Sequence, residues 1–271
     1  MTFDRAPRLM GIVNVTPDSF SDGGTTFEPA AAVEHGLRLV DAGADLLDIG
    51  GESTRPGADQ VDVEEELRRV LPVVQALAEK TTVPISIDTS KAAVARQALA
   101  AGAEVINDIT ACRADSEMVP LVAETGCGVS LMHMQGTPAT MQNSPAYANV
   151  VDEVFDFLRD RRNALEAAGI ARNRIVVDPG IGFGKTLAHN LALVRNVARF
   201  AELECPVLVG HSRKRFIAAV LGDDRADRTA GTVGAALALA QRGVQLLRVH
   251  DVAEVRQALQ LFEACGGFAA E

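Results

Sequence analysis

Short apolar runs recur along the chain at 9–14, 46–49, 85–88, 105–108, 129–133, 175–178, 207–210 and 246–250, and each ends in polar or glycine-rich residues. Between them lie stretches with helical spacing of apolar positions, for instance 61–79, 94–101, 150–168 and 252–264. Strand and helix therefore alternate from one end to the other. Eight such units in 271 residues predict one domain spanning 1–271, a single (β/α)8 TIM barrel with its active site at the C-terminal ends of the strands. That fold usually takes roughly 250 residues. A doubly wound open sheet is the runner-up, because alternation alone does not report whether the sheet closes.

The second run opens directly into Asp48-Ile-Gly-Gly-Glu-Ser-Thr-Arg-Pro-Gly57. Two glycines let the backbone approach a ligand, and Arg55 adds a charged fork, as expected of a strand end that handles a polar ligand. The longest loops, 16–29 and 135–149, also follow strands, where long loops serve as lids or binding loops more often than as connectors.

Composition narrows the classes. Apolar residues make up 48% of the chain, enough for a well-buried core, and no uninterrupted stretch reaches the ~20 apolar residues of a membrane span. Residues 1–8 are too short and polar for a signal peptide, so a cytoplasmic protein is expected. The net charge of −10, without a basic run, weighs against nucleic acid or an anionic membrane as partner. Cys112, Cys127, Cys205 and Cys265 lack CxxC spacing and read as small apolar fillers.

The strand ends together supply Asn14, Thr54, Arg55, Asp88, Asn107, Asp108, His133, Asp178, 212–214, Arg248 and His250. In a closed barrel these converge on one bowl. Carboxylates and amides suit a donor-rich heterocycle edge, and cations suit a phosphate; a buried carboxylate such as Asp88 or Asp178 is costly unless it is paired or hydrogen-bonded. One or two of them can equally be structural caps. The run 207–216 reads as a strand, a Gly turn and a basic helix start, so Arg213, Lys214 and Arg215 together with free N–H groups predict an anion site. Arg248 and His250 are alternate residues that share one face.

Two patterns are rejected. Gly180-Ile-Gly-Phe-Gly-Lys-Thr186 resembles a phosphate-binding loop, but it is one residue short of the required spacing and Pro179 stands where the first glycine belongs. His133, His211 and His250 fall on different strands without ligand-pair spacing, which argues against a protein-built metal cage and leaves open a cation carried in by phosphate.

Several segments, in this order, resemble the dihydropteroate synthase family. They are Met10-Gly-Ile-Val-Asn-Val-Thr-Pro-Asp-Ser-Phe-Ser-Asp-Gly-Gly24, 48–57, Ser86-Ile-Asp-Thr89, Ile106-Asn-Asp-Ile109, Leu131-Met-His-Met-Gln-Gly136, 178–184, Gly210-His-Ser-Arg-Lys-Arg215 and Arg248-Val-His-Asp251. The resemblance spans nearly the whole chain. It implies a folate-pathway transferase that joins 6-hydroxymethyl-7,8-dihydropterin diphosphate to p-aminobenzoate and releases pyrophosphate.

Carried over residue by residue, the resemblance implies a pterin site of Asp88, Asn107, Ile109, Met132, Asp178, Gly182, Phe183 and Lys214. It implies a diphosphate site of Asn14, Arg55, Arg248 and His250, with Asn14 also a ligand of Mg2+, the expected cofactor. Phe20, Thr54, Arg55, Pro56, Phe183, Ser212 and Arg215 would take p-aminobenzoate, or the sulfonamides that compete with it. Asp88, Asp178, Lys214, Arg248 and His250 would carry the chemistry. The carboxylates would stabilise a pterin methylene cation, and Arg248, His250 and Mg2+ the departing pyrophosphate. Because the loop composition around Phe20 and 54–56 is rich in Gly, Ser and Asp, p-aminobenzoate is expected to bind after the pterin and pyrophosphate sites are filled.

One departure is Ala139, where relatives often carry a basic residue. No kinase or aldolase domain is attached, so a stand-alone form is expected. A homodimer is also expected from the resemblance, and the Ala-rich helix 229–241 offers either an interface or plain intramolecular packing. Two other readings are a corrinoid-dependent methyltransferase and a non-catalytic pterin-binding paralogue. The first has no use for Asn14, Arg248 and His250 as an anion site, and the second would be expected to lack some of the named residues.

Overall fold

The computed structural model describes residues 6–16, 29–54, 57, 58 and 60–268. Eight strands follow in chain order: β1 (Arg8–Asn14), β2 (Leu46–Gly50), β3 (Ile85–Asp88), β4 (Val105–Asp108), β5 (Gly128–Met132), β6 (Ile175–Asp178), β7 (Leu208–Gly210) and β8 (Leu246–Val249). All pair in parallel in the order β6-β5-β4-β3-β2-β1-β8-β7. A parallel bridge from Val177 to Val207, with the Val177 N–H donating to the Pro206 carbonyl at 3.0 Å, joins the two outer strands. The sheet is thus a nearly closed barrel, and the open doubly wound alternative falls.

Around it lie α1 (Pro29–Asp41), α2 (Val63–Lys80), α3 (Ala92–Ala100), α4 (Met118–Thr125), α5 (Val150–Ala167), α6 (Leu187–Arg195), α7 (Arg215–Leu221), α8 (Thr229–Ala240) and α9 (Val252–Ala264). Caps explain several boundaries. Asp62 accepts from the Glu65 N–H, so α2 starts just after it; Asn149 accepts from the Val151 and Asp152 N–H groups, and Thr186 forms a capping box with His189. The predicted strand at 207–210 is shorter by one residue. Pro206 has no N–H to extend the ladder, and the Val207 N–H donates to the Gln245 side chain at 2.8 Å, so Val207 joins the sheet by an isolated bridge to Val177.

Alternation along each strand sorts the side chains into two sets. Leu47 and Ile49 of β2 face outward and pack with Val70, Val74 and Leu77 of α2 in the main core. Leu46 faces inward and meets Met10, Leu208 and Leu246, with Val176 against them, to plug the barrel. Above this plug the interior becomes polar. Cys112, Cys127 and Cys205 are buried as fillers, whereas Cys265, expected to be one too, is exposed just beyond α9, where no sheet covers it. No helix among the described residues is long and apolar enough to cross a membrane.

Candidate active site

At the C-terminal end of the barrel, a cleft is lined by Thr54, Asp88, Asn107, Ile109, Met132, Asp178, Phe183, Gly210, Lys214 and Arg248. Strand register sets its rim: Asn14 pairs with Gly50, Gly50 with Asp88, and Asp88 with Asn107. Because Gly50 has no side chain, the Asp88 carboxylate lies over its α carbon, where an added Cβ would come within 3.4 Å of the Asp88 Cβ.

Arg248 organises one wall. Its Nε donates to Asp48 Oδ2 at 2.6 Å and its Nη2 to Asp88 Oδ2 at 2.8 Å. Asp48 is fully buried in the middle of β2 and also accepts from Asn107 Nδ2 at 3.1 Å. That bond fixes the amide, so that the Asn107 carbonyl oxygen is the edge left for a ligand. Burial, chiefly, pushes Asp88 up to about 7 against the pull of Arg248, with the negative charges of Asp48, Glu66 and Asp108 adding to the rise. Asp48 was not among the expected site residues. The available signal was a charge inside the apolar stretch Leu46-Leu-Asp-Ile49, which requires a buried partner.

Asp178 and Lys214 form the next stretch of wall. Asp178 is 4% exposed, and its Oδ1 accepts from the Gly180 N–H at 2.7 Å. Burial raises its pKa, opposed by Lys214 and by that N–H. Lys214 stands at the position just before α7, donates to the Ile181 carbonyl, and lies 4.6 Å from the centre of the Phe183 ring. Burial lowers it to about 8, although Asp178 favours its charge. Ile109 and Phe183 pack on Met132, Met134 and Met141, giving the cleft one apolar face.

The loop after β6 is held against the loop after β5. Gly180 and Gly184 have φ of 67° and 65°, and a Cβ added at them would fall 2.0 Å from the His133 carbonyl oxygen and 2.5 Å from that of Gln135. Only glycine fits such a backbone crossing. Gly182 faces Lys214, whose Cδ would lie 3.2 Å from an added Cβ. Gln142 Nε2 donates to the Gly182 carbonyl at 2.7 Å and the Tyr147 hydroxyl to that of Gly184 at 2.8 Å. In this loop Lys185 is buried on His133, which removes it from any phosphate and confirms that the glycine-rich segment is no Walker loop.

The remaining expected residues lie around the cleft. Asn14 ends β1, half-buried, and its side-chain amide has no hydrogen-bond partner among the described residues. His250 follows β8, with Nδ1 3.0 Å from Ser212 Oγ, so a residue expected to contact the arylamine lies in hydrogen-bond contact with one expected to contact the diphosphate. Arg215 begins α7, is exposed, and does not line the cleft. Phe20, Arg55 and Pro56 lie outside the described residues.

The expectation of one three-cation anion site at 213–215 needs correction. Arg213 has φ 55°, held by its N–H donating to Thr232 Oγ1 at 3.0 Å, and its guanidinium forms a two-contact pair with Asp251, Nε to Oδ2 at 3.0 Å. It is spent on that carboxylate, while Lys214 turns into the cleft.

The family model for pterin binding enzymes matches residues 10–250. A dihydropteroate synthase of Escherichia coli is 47% identical over 258 residues, covering 95% of this chain and 91% of the relative. The chain belongs to the dihydropteroate synthase family. A structure of dihydropteroate synthase from Xanthomonas albilineans in complex with 7,8-dihydropteroate superposes with a TM-score of 0.88 at 49% identity, covering 100% of this chain and 97% of the other. The Yersinia pestis dihydropteroate synthase with a sulfonamide drug complex gives 0.92 at 46% identity, over 98% and 97% of the two chains. The cleft's described lining comes from seven different strand ends or following loops, those of β2 to β8, and is assembled only by barrel closure.

Proposed function

We infer that the chain condenses 6-hydroxymethyl-7,8-dihydropterin diphosphate with p-aminobenzoate to give 7,8-dihydropteroate and pyrophosphate, a transferase reaction. The observation that carries this is the cleft itself. Asp88, the Asn107 carbonyl oxygen and Asp178 form a converging row of acceptors, matched to the donor-rich edge of a pterin, and Lys214 adds a donor for its carbonyl. Ile109, Met132 and Phe183 supply the apolar face for the ring.

In this reading the C–O bond at the pterin methylene breaks with its electron pair passing to the diphosphate. A ring-delocalised cation is left beside Asp88 and Asp178. The arylamine lone pair then forms the C–N bond, and the amine proton leaves to pyrophosphate. Catalysis is chiefly electrostatic, since fixed carboxylates lie where positive charge develops. Arg248, His250 and Asn14 would hold the diphosphate, with Arg248 Nη1 turned away from its two carboxylates.

A Mg2+ ion fits the donor set at Asn14, whose carboxamide oxygen is a hard ligand, because Mg2+ commonly takes one or two protein oxygens and completes its shell with phosphate and water. Bound with the diphosphate, the ion would neutralise charge on the departing oxygens. Thr54, Arg55, Pro56, Phe20, Phe183, Ser212 and Arg215 remain the proposed p-aminobenzoate contacts, also open to sulfonamides. p-Aminobenzoate is proposed to bind after the pterin and pyrophosphate sites are filled. Cytoplasmic location agrees with the free cysteines, and a homodimer with the exposed Val220 and Leu221 at the end of α7, next to the Ala-rich α8.

The test is pyrophosphate release in the presence of both substrates. Release that requires the pterin diphosphate and p-aminobenzoate together is expected. Release independent of the arylamine, or none with either, would overturn the assignment.

A further inference from the structure

The chemistry above leaves Lys185 unused, although it stands in the glycine-rich segment that first resembled a phosphate loop. The residue is only 3% exposed. Its Nζ reaches three acceptors: the Phe183 carbonyl at 2.9 Å, the His133 carbonyl at 3.3 Å and His133 Nδ1 at 3.0 Å. Burial lowers its pKa well below the ordinary lysine range against the pull of Asp178, so the amine acts here through these hydrogen bonds, made without contacting a carboxylate, rather than through a full charge. His133 can accept at Nδ1 because burial first, and Lys185 next, hold its imidazole neutral, down at about 3.

These acceptors come from two segments. His133 follows β5, whereas Phe183 sits in the loop after β6 and turns its ring toward the cleft beside Lys214. Backbone bonds already join the segments at His133 N to Asp178 O, 3.0 Å, but they stop short of Phe183. Lys185 is the side chain that carries the connection on to the Phe183 carbonyl.

We propose that Lys185 is a positioning residue for the reaction: buried behind the apolar wall, it ties the Phe183 carbonyl to the end of β5 and thereby fixes the Phe183 ring against the bound pterin and arylamine. The proposal rests on the reading of the cleft as the pterin site.

The test uses the full chain with Lys185→Met, which keeps the length of the side chain and removes the amine that makes all three contacts. Calorimetry with the pterin diphosphate is expected to show a loss of affinity of about tenfold, as for removal of one or two buried hydrogen bonds. In a Phe183→Ala background the same substitution should cost less than about twofold, because groups that act through one another are not additive. Equal losses in both backgrounds would mean that Lys185 works on the charge of Asp178 instead, and unchanged affinity in folded Lys185→Met would mean that it positions nothing; either overturns the proposal. Should Lys185→Met not fold, His133→Phe removes only the Nδ1 acceptor and keeps an aromatic ring at the 4.9 Å contact with Phe157. It should weaken binding by about threefold in the same direction, again only when Phe183 is present, and an effect independent of Phe183 would overturn the proposal. If the unaltered protein does not bind the pterin diphosphate, the reading of the cleft has failed. If it binds and both variants bind equally well, the role of Lys185 alone has failed.

Discussion

On the side of β2, β3, β4 and β8, the cleft is fixed by charge carried on strands: Asp48, Asp88 and Asn107 are linked through Arg248 or directly, and every anchor is a ladder residue. On the side of β5 and β6, it is fixed by loops: glycine-permitted backbone crossings, side chains bonded to carbonyls, and a methionine cluster. The first wall is stiff because its charges are desolvated and cannot stay unpaired. The second can give a little, since apolar packing and single neutral hydrogen bonds are each worth less and adapt to one another. The charged wall should therefore fail abruptly when altered and the loop wall by degrees.

The sharpest way to break the comparison is Arg248→Ala. It leaves Asp48 and Asp88 buried without their common partner, for which a cost of about 3–5 kcal/mol is expected. At about 2–4 °C per kcal/mol for a chain of this size, thermal denaturation should show a melting point lower by roughly 6–20 °C, with activity lost. A variant that melts within 2 °C of the parent would show that the charged wall is not held by this pairing.

Next in size are Asp178→Asn and Lys214→Ala. The amide of Asn can still accept from the Gly180 N–H, so the fold should persist, but it offers the ligand edge a donor in place of an acceptor. Each substitution removes a charge-assisted bond worth about 1.5–3 kcal/mol, so titration with the pterin diphosphate should show roughly ten- to a hundredfold weaker binding. A lowered melting point with unchanged affinity would make either residue structural only.

Met141→Ala probes the loop wall. A buried Met→Ala change costs about 2–5 kcal/mol in a rigid core, and a wall able to collapse should sit at the lower end, with pterin affinity changed less than about threefold. A loss of affinity as large as that of Lys214→Ala would erase the distinction between the walls.

The smallest expected effect is on pH. Asp88 at about 7 must be ionised to accept, and Lys214 at about 8 must be protonated to donate. The free-enzyme ratio kcat/KM for the pterin diphosphate should therefore fall below about 7 and above about 8, giving a narrow bell. Lys214→Arg should flatten the alkaline side alone. An alkaline limb that stays in that variant would belong to another group.

The predicted strands at 85–88, 105–108 and 175–178 and the helix at 252–264 match β3, β4, β6 and α9 without shift, since burial on both faces leaves runs of Val and Ile whose ends are marked by Asp. From those ends the sequence alone determined which residues would share a rim, Asp88, Asn107, Asp178, Lys214 and Arg248 among them, because parallel strands in a barrel must all finish on one side. It did not determine how these residues are paired. That Arg248 reaches Asp48 across 200 positions, that Arg213 is taken up by Asp251 rather than by a ligand, and that Lys185 is folded onto His133 depend on distances between segments remote in the chain. Local spacing fixes the direction a side chain takes from its own strand or helix. Only the closed barrel decides which charge it meets there, and with low dielectric between them that meeting sets both its pKa and its role.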